Sequence, residues 1–205
     1  MSLAVQSLLD FTGDYEPRVE AIPAHEASYY LRKGHYLGRV PSVSFAFGLW
    51  RGGDLEGVCT FGQPPSRHLQ ISACPSDPSR VIEFNRLWVH DRMPRNSESW
   101  FVSRALKMLP PHIVVTYADT AVGHVGYIYR ALSFYYAGLT DADRKTPRFD
   151  YVVVGKHSRD AFRSGDYTRV RRKPKHKFWT VTGNRRERRQ LLRLAAWPSV
   201  SWRAA

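Results

Sequence analysis

The chain has 205 residues, 43% of them hydrophobic and 13% aromatic, with a formal net charge of +13. That is enough apolar material for one buried core, which excludes a wholly disordered chain, and no run reaches the roughly 20 apolar residues of a membrane span. The charge is uneven: residues 1–155 hold 16 Lys and Arg against 15 Asp and Glu, whereas residues 156–205 hold 15 against 3.

The first residues show no basic region followed by an apolar run, so no secretory leader is expected and a cytoplasmic location follows. Ala24 to Lys33, introduced by Pro23, reads as a helix with Ala27, Tyr30 and Leu31 on one face. Val43–Trp50 and Leu55–Phe61, joined by Gly52-Gly53, read as a β-hairpin. A proline-rich loop spans Gly62 to Ser79. Then come a strand over Val81–Val89, a helix from about Asn96 to Leu109, a strand over His112–Asp119 and a helix from Tyr127 to Phe134. Phe134–Leu139 and Arg148–Gly155 read as the last strands, and Asn184–Ala196 as a basic amphipathic helix capped by Asn184. Cys59 and Cys74 match no zinc spacing and are expected as reduced, buried thiols.

This order is that of an N-acetyltransferase-like α/β fold, a mixed central sheet with helices on both faces. In such folds two parallel strands splay apart and open a cleft for an acyl donor. Residues 1–155 are the expected catalytic domain and 156–205 a basic extension for nucleic acid, since Lys and Arg there alternate with Phe178, Trp179 and Trp197. A merely solvating tail needs no aromatics.

Two junctions carry the chemistry. Acetyltransferases place a Gly-rich turn ahead of the helix that follows the fourth strand, where free amides and the helix dipole bind a pyrophosphate. Here that turn is Pro94-Arg95-Asn96-Ser97-Glu98-Ser99, without glycine. With Arg92 just before it, its Arg95 and two serine hydroxyls can bind an anion, or Asn96 or Ser97 can simply cap the helix. The second junction is Asp119, which ends a strand, followed by His124 in a loop and Tyr127 and Tyr129 in a helix. Such a pair serves as a base and its orienter, binds an acceptor, or is structural. His35-Tyr36, after the first helix, is a weaker signal, and two such residues are too few to argue a metal site.

The segment Tyr117-Ala118-Asp119 through Gly123-His124-Val125-Gly126-Tyr127-Ile128-Tyr129-Arg130-Ala131 resembles the signature of the Mom family, DNA-modification proteins of Mu-like bacteriophages. His35-Tyr36-x-Gly38, Gly57–Gly62, Glu83–Leu87 and Pro94–Ser99 fit the same family, so the resemblance covers roughly residues 22–155. It implies an acetyltransferase-fold enzyme that converts adenine in double-stranded DNA to N6-carbamoylmethyladenine, protecting the DNA from host restriction. By that resemblance Arg95, Asn96, Ser97 and Ser99 hold the donor. Asp119, His124, Tyr129, His35 and Tyr36 serve catalysis. Asn85, Arg86 and Tyr127, with Arg171, Arg172, Lys173, Lys175 and Lys177, lie on the acceptor and DNA side. The donor stays open between glycyl-tRNA and an acyl-CoA, because a carbamoylmethyl group is an isomer of a glycyl amide. The target base must leave its pair, and Trp50, Trp88, Trp100, Tyr117 and Tyr135 are candidates to stack on it.

Overall fold

A computed structural model describes residues 16–34, 40–142, 144–153, 162–163, 165 and 167–202. Its centre is a seven-stranded sheet in the order β1-β2-β3-β4-β5-β9-β6. The strands are β1 (Arg18–Ala21), β2 (Phe45–Arg51), β3 (Asp54–Gly62), β4 (Val81–Val89), β5 (Ile113–Asp119), β6 (Tyr135–Leu139) and β9 (Lys175–Val181). Every neighbouring pair is antiparallel except β4 and β5. The β2–β3 turn is built by Gly52 and Gly53, both at positive φ, which matches the right-handed twist of a hairpin.

Helices cover both faces, as expected. On one face α3 (Ser97–Met108) buries Phe101, Val102 and Ala105 against Phe47, Phe61, Ile82, Phe84 and Val114. The short α4 (Tyr127–Ala131) places Tyr129 beside Phe134 and Phe178 on that face. On the other face α1 (Ala24–Gly34) packs Ala27 and Leu31 on Ala46, Leu55 and Val58. There too α2 (Arg67–Ala73) and α5 (Arg185–Leu194) pack Ala73 and Leu191 on Val81, Ile113, Val115, Trp179 and Val181. Each fully buried Phe or Leu in these layers contributes about 2–3 kcal/mol of transfer free energy. Cys59 and Cys74 are buried and unbridged.

The β4–β5 pairing is short. Only Val81–Ile113, Ile82–Val114 and Glu83–Val115 pair. Beyond them β4 follows β3 through a bulge at Thr60/Phe61, and β5 follows β9 through to the Asp119–Lys175 pair. The two strands therefore part into a wedge. At its apex the Thr116 hydroxyl donates to the Phe84 carbonyl at 3.0 Å, taking up one acceptor the parted ladder leaves open.

Four expectations are corrected. The boundary at residue 155 does not separate an extension: β9 lies between β5 and β6, α5 packs on the core, and Val200 donates its amide to the Tyr136 carbonyl along β6. In Lys-His-Lys-Phe-Trp-Thr-Val the basic residues mask a strand alternation, with Phe178 and Trp179 buried on opposite faces. The strand at 149 belongs instead to a separate two-stranded ribbon, β7 (Phe149–Val152) with β8 (Thr168–Arg171). The helix expected to run to Phe134 ends at Ala131, and the chain turns at Ser133, which sits at positive φ. The loop over 62–79 also contains α2.

Candidate functional site

Alternation along the parted strands divides the wedge into two sides. Glu83, Val115, Tyr117 and Asp119 face α2 and α5, whereas Phe84, Thr116 and Ala118 face α3 and α4. Glu83 is the last residue of β4 paired with β5, so its carboxyl sits at the apex. Burial pushes it up to about 7, although Arg86 and Lys175 pull the other way. Tyr117 stands on the same side, and burial and the Glu83 carboxyl raise its phenol well above the usual range. Trp197 meets the Tyr117 ring edge-on at 6.4 Å, with the Lys177 ammonium 5.5 Å from its ring centre. Asn85 and Arg86 line the same strand. Asn85 accepts from the Thr60 hydroxyl at 2.6 Å and donates to the Ser42 carbonyl, while Arg86 Nη1 donates to the Asn85 carbonyl.

At the mouth of the wedge the turn before α3 is pinned from below. Arg92 grips the buried Glu56 with two nitrogens, and Met93 is sunk into the core. The Ser97 hydroxyl donates to the Pro94 carbonyl at 2.6 Å and the Ser99 hydroxyl to the Asn96 carbonyl at 3.0 Å. The Ser97 hydroxyl is thus buried and held by the turn itself. Asn96 adopts φ 70°, the left-handed conformation that a glycine would supply, and its side chain caps no α3 amide. The Ser97 amide donates to the Pro94 carbonyl at 3.2 Å, and Arg95 stands exposed beside the first turn. An anionic group fits this terminus.

At the other rim, Asp119 accepts from the Ala121 amide at 2.9 Å and pairs with the Lys175 ammonium at 2.7 Å. Burial would raise this carboxyl, but the Lys175 hydrogen bond, the Ala121 amide and the His124 charge hold it below its ordinary value. Asp119 is an ionised anchor for Lys175. His124 is exposed, and its amide donates to the Asp119 carbonyl. Tyr127 is also exposed. Tyr129 lies on the α3–α4 side, its ring packed among Phe84, Phe134 and Phe178 at 5.2–6.0 Å. Gly126, at φ 76°, lets this turn close, because a Cβ there would come within 2.5 Å of the Phe178 ring.

The structure thus brings Asp119, His124, Lys175 and Arg86 to one wedge with Asn96 at its mouth, turns Asn85 toward Thr60 and Ser42 on the β3 side, and sets Tyr129 behind it. Arg171, Arg172 and Lys173 lie farther along, at the root of the β7–β8 ribbon, where Arg172 is held by Asp150. His35 and Tyr36 lie outside the described residues. Of the aromatics expected to stack a base, Tyr117 faces the wedge. Trp50 and Trp88 pack with the α1 layer, Trp100 lies under the Arg104 guanidinium, and Tyr135 lies on Trp179. Glu83 and Trp197 were not among the expected site residues. The available signal for Glu83 was a lone acid in the otherwise apolar start of a central strand, a position where charge is rarely buried without a role.

Solved structures with related architecture include an acetyltransferase of the GNAT family from Streptococcus pneumoniae (TM-score 0.48, 9% identity, 82% of this chain and 100% of that one). A Bacillus cereus GNAT-family acetyltransferase aligns with TM-score 0.47 at 10% identity, over 82% of this chain and 99% of that one. In sequence, the chain is 36% identical over 134 residues to the methylcarbamoylase Mom of Escherichia phage Mu, a match covering 62% of this chain and 55% of that protein. The chain therefore aligns with about half the length of that relative. The Mom protein family model matches residues 16–191. That span takes in the wedge, both its rims, β9 and most of α5, and the chain belongs to the Mom protein family.

Proposed function

We propose that this chain is a transferase that converts adenine in DNA to N6-carbamoylmethyladenine by an acyl-transfer reaction in the β4–β5 wedge. It would act in the cytoplasm of a phage-infected bacterium and shield the DNA from restriction. The observation that carries this reading is the match of the Mom family model across the whole wedge, with a relative named a methylcarbamoylase. The chemistry of the wedge supports it.

Adenine N6 is a poor nucleophile, because its lone pair is delocalised into the ring, and its amino group is hidden in the base pair. The base must be flipped out and its proton removed as the new bond forms. Glu83, poised near neutrality at the apex, is the group suited to take that proton. Tyr117 and Trp197 offer the faces against which the flipped ring can lie. The Asn96 turn holds the anionic end of the donor, and backbone groups of the parted strands face its carbonyl.

A glycyl ester satisfies the product chemistry. N6 attacks the ester carbonyl, the N–C bond forms and the ester C–O bond breaks. Glu83 passes the N6 proton to the departing hydroxyl. The resulting N–CO–CH2–NH2 group is an isomer of N–CH2–CO–NH2, so its rearrangement needs no oxidant or reductant. Glycyl-tRNA is such an ester; an acyl-CoA is the competing donor. The experiment is nucleoside mass spectrometry on DNA incubated with the pure protein and labelled glycyl-tRNA or labelled acetyl-CoA. Label in an adenosine one glycyl unit heavier, from glycyl-tRNA alone, is the expected result. DNA left unmodified by both donors would overturn the reading.

A further inference from the structure

The β7–β8 ribbon belongs to neither helix layer and pairs with no strand of the main sheet. Its register sets Phe149 opposite Arg171 and Tyr151 opposite Arg169, so these four share one face. The Arg169 guanidinium lies 3.6 Å from the Phe149 ring centre. All four residues of β8 are exposed, and Val152 and Val170 of the reverse face are about half exposed. A bare two-stranded ribbon is marginal in water, but this one is braced. Tyr151 packs against Phe162 and Tyr167, each at 4.7 Å, and Asp150 grips Arg172. At its root a depression of about 470 Å³ is lined by Arg144, Arg148, Arg171, Arg172 and Lys173. Asp141 takes Arg148 and Asp150 takes Arg172. Arg169, Arg171 and Lys173 have no acidic partner among the described residues.

We infer that the β7–β8 ribbon is a duplex-DNA reader that lies in the major groove and holds the helix beside the wedge. The inference rests on DNA being the substrate, as proposed above. Size and position both support it. The two strands of the ribbon lie about 4.8 Å apart, and the major groove of B-form DNA is about 12 Å wide and admits a two-stranded ribbon. An A-form RNA duplex closes that groove to side chains, so the ribbon suits DNA rather than a tRNA stem. Arg171 is separated by three residues from Lys175, the partner of Asp119 at the rim of the wedge. Four residue steps reach at most about 14 Å, which is about four base-pair steps at roughly 3.4 Å. A base flipped into the wedge and the base pairs read by the ribbon would therefore be near neighbours on one helix.

The test is fluorescence anisotropy on the full chain, without donor, across a salt series. The probes are a labelled B-form DNA duplex and an RNA duplex of the same sequence and length. The Arg171→Gln/Lys173→Gln variant is expected to lower the salt slope on DNA by about 2, since each phosphate contact contributes about 0.9, and to weaken binding roughly tenfold or more near physiological salt. The RNA duplex should bind the parent chain weakly and respond little to the substitutions. Thermal melting checks that the variant folds; if it does not, the single Arg171→Gln variant should show about half the change in slope. An unchanged slope on DNA overturns the inference. Equal binding and equal loss on DNA and RNA also overturn it, because the ribbon would then be only a charged patch. The readout needs no chemistry. Duplex binding as expected with no adenine product would sink the proposed function alone, and adenine product with an unchanged slope would sink the ribbon alone.

Discussion

Two carboxyl groups stand on the same side of the wedge, one at its apex and one at its rim, and the chain treats them in opposite ways. Glu83 is half-buried at the point where β4 and β5 part, and the loss of water lifts it to about 7 despite Arg86 and Lys175. Asp119, at the end of β5, is given an ammonium, a backbone amide and a nearby histidine, and is held below its ordinary value. The first can exchange a proton at neutral pH, whereas the second is a fixed charge. A motif-based reading favours Asp119, because it sits in the family signature. Under the proposed reaction the proton-moving task falls to Glu83, and Asp119 positions Lys175.

The largest expected effect breaks this comparison at the apex. Glu83→Gln should lower the rate of adenine modification by roughly 10²–10⁴-fold, with the fold retained, as read by nucleoside mass spectrometry. The parent's activity should rise with pH through about 7. The sign for stability is the reverse. Folded Glu83 holds its proton to higher pH than the unfolded chain does, so stability falls between about pH 4.5 and 7. Glu83→Gln removes that loss, and its thermal stability should exceed the parent's above pH 7 by on the order of 3 kcal/mol, while matching it below pH 4.5. Equal activity of the variant and the parent would remove Glu83 from the chemistry.

Next comes the rim's framework. Gly126→Ala forces a Cβ against the Phe178 ring at positive φ and should cost about 2–4 kcal/mol in denaturant unfolding. Asp119→Asn should cost about 1–2 kcal/mol at neutral pH through the lost ion pair and weakened cap. Because the Asp119 pKa is depressed, that contribution is present above the ordinary aspartate range and disappears on acidification, opposite in sign to Glu83. If Asp119 acts through Lys175, Lys175→Met should reproduce the activity loss of Asp119→Asn. The smallest effect is at the mouth. Asn96→Gly should keep donor binding and change stability by less than about 1 kcal/mol, whereas Asn96→Val should weaken both, since only glycine and Asn-like residues accept the left-handed turn.

Local order was legible in the sequence where one element decided it. The alternation from Val81 to Val89, the Gly52-Gly53 hairpin and the Asn184 cap, which the structure shows as a full capping box with Glu187, are all short-range signals. The place of β9 was not, because its partners β5 and β6 lie far back in the chain and its lysines suggested a basic nucleic-acid-binding extension. The left-handed Asn96 was not legible, because the turn was read for its lack of glycine and Asn96 only as a possible cap. Trp197 reaches Tyr117 only after α5 has folded back across the sheet.

The position of β9 also sets the order in which the molecule can be completed. During synthesis β5 and β6 emerge well before the residues up to Val181 that must slide between them. Until then the edge of β5, with its Ile113-Val114-Val115 run, stands unpaired and competes for any other strand nearby. Closure is a late, long-range step and is expected to limit the folding rate. A nascent chain halted before β9 would therefore leave an incomplete, aggregation-prone sheet rather than a working enzyme short of its basic tail, and solubility of the chain cut after residue 170 would measure that directly.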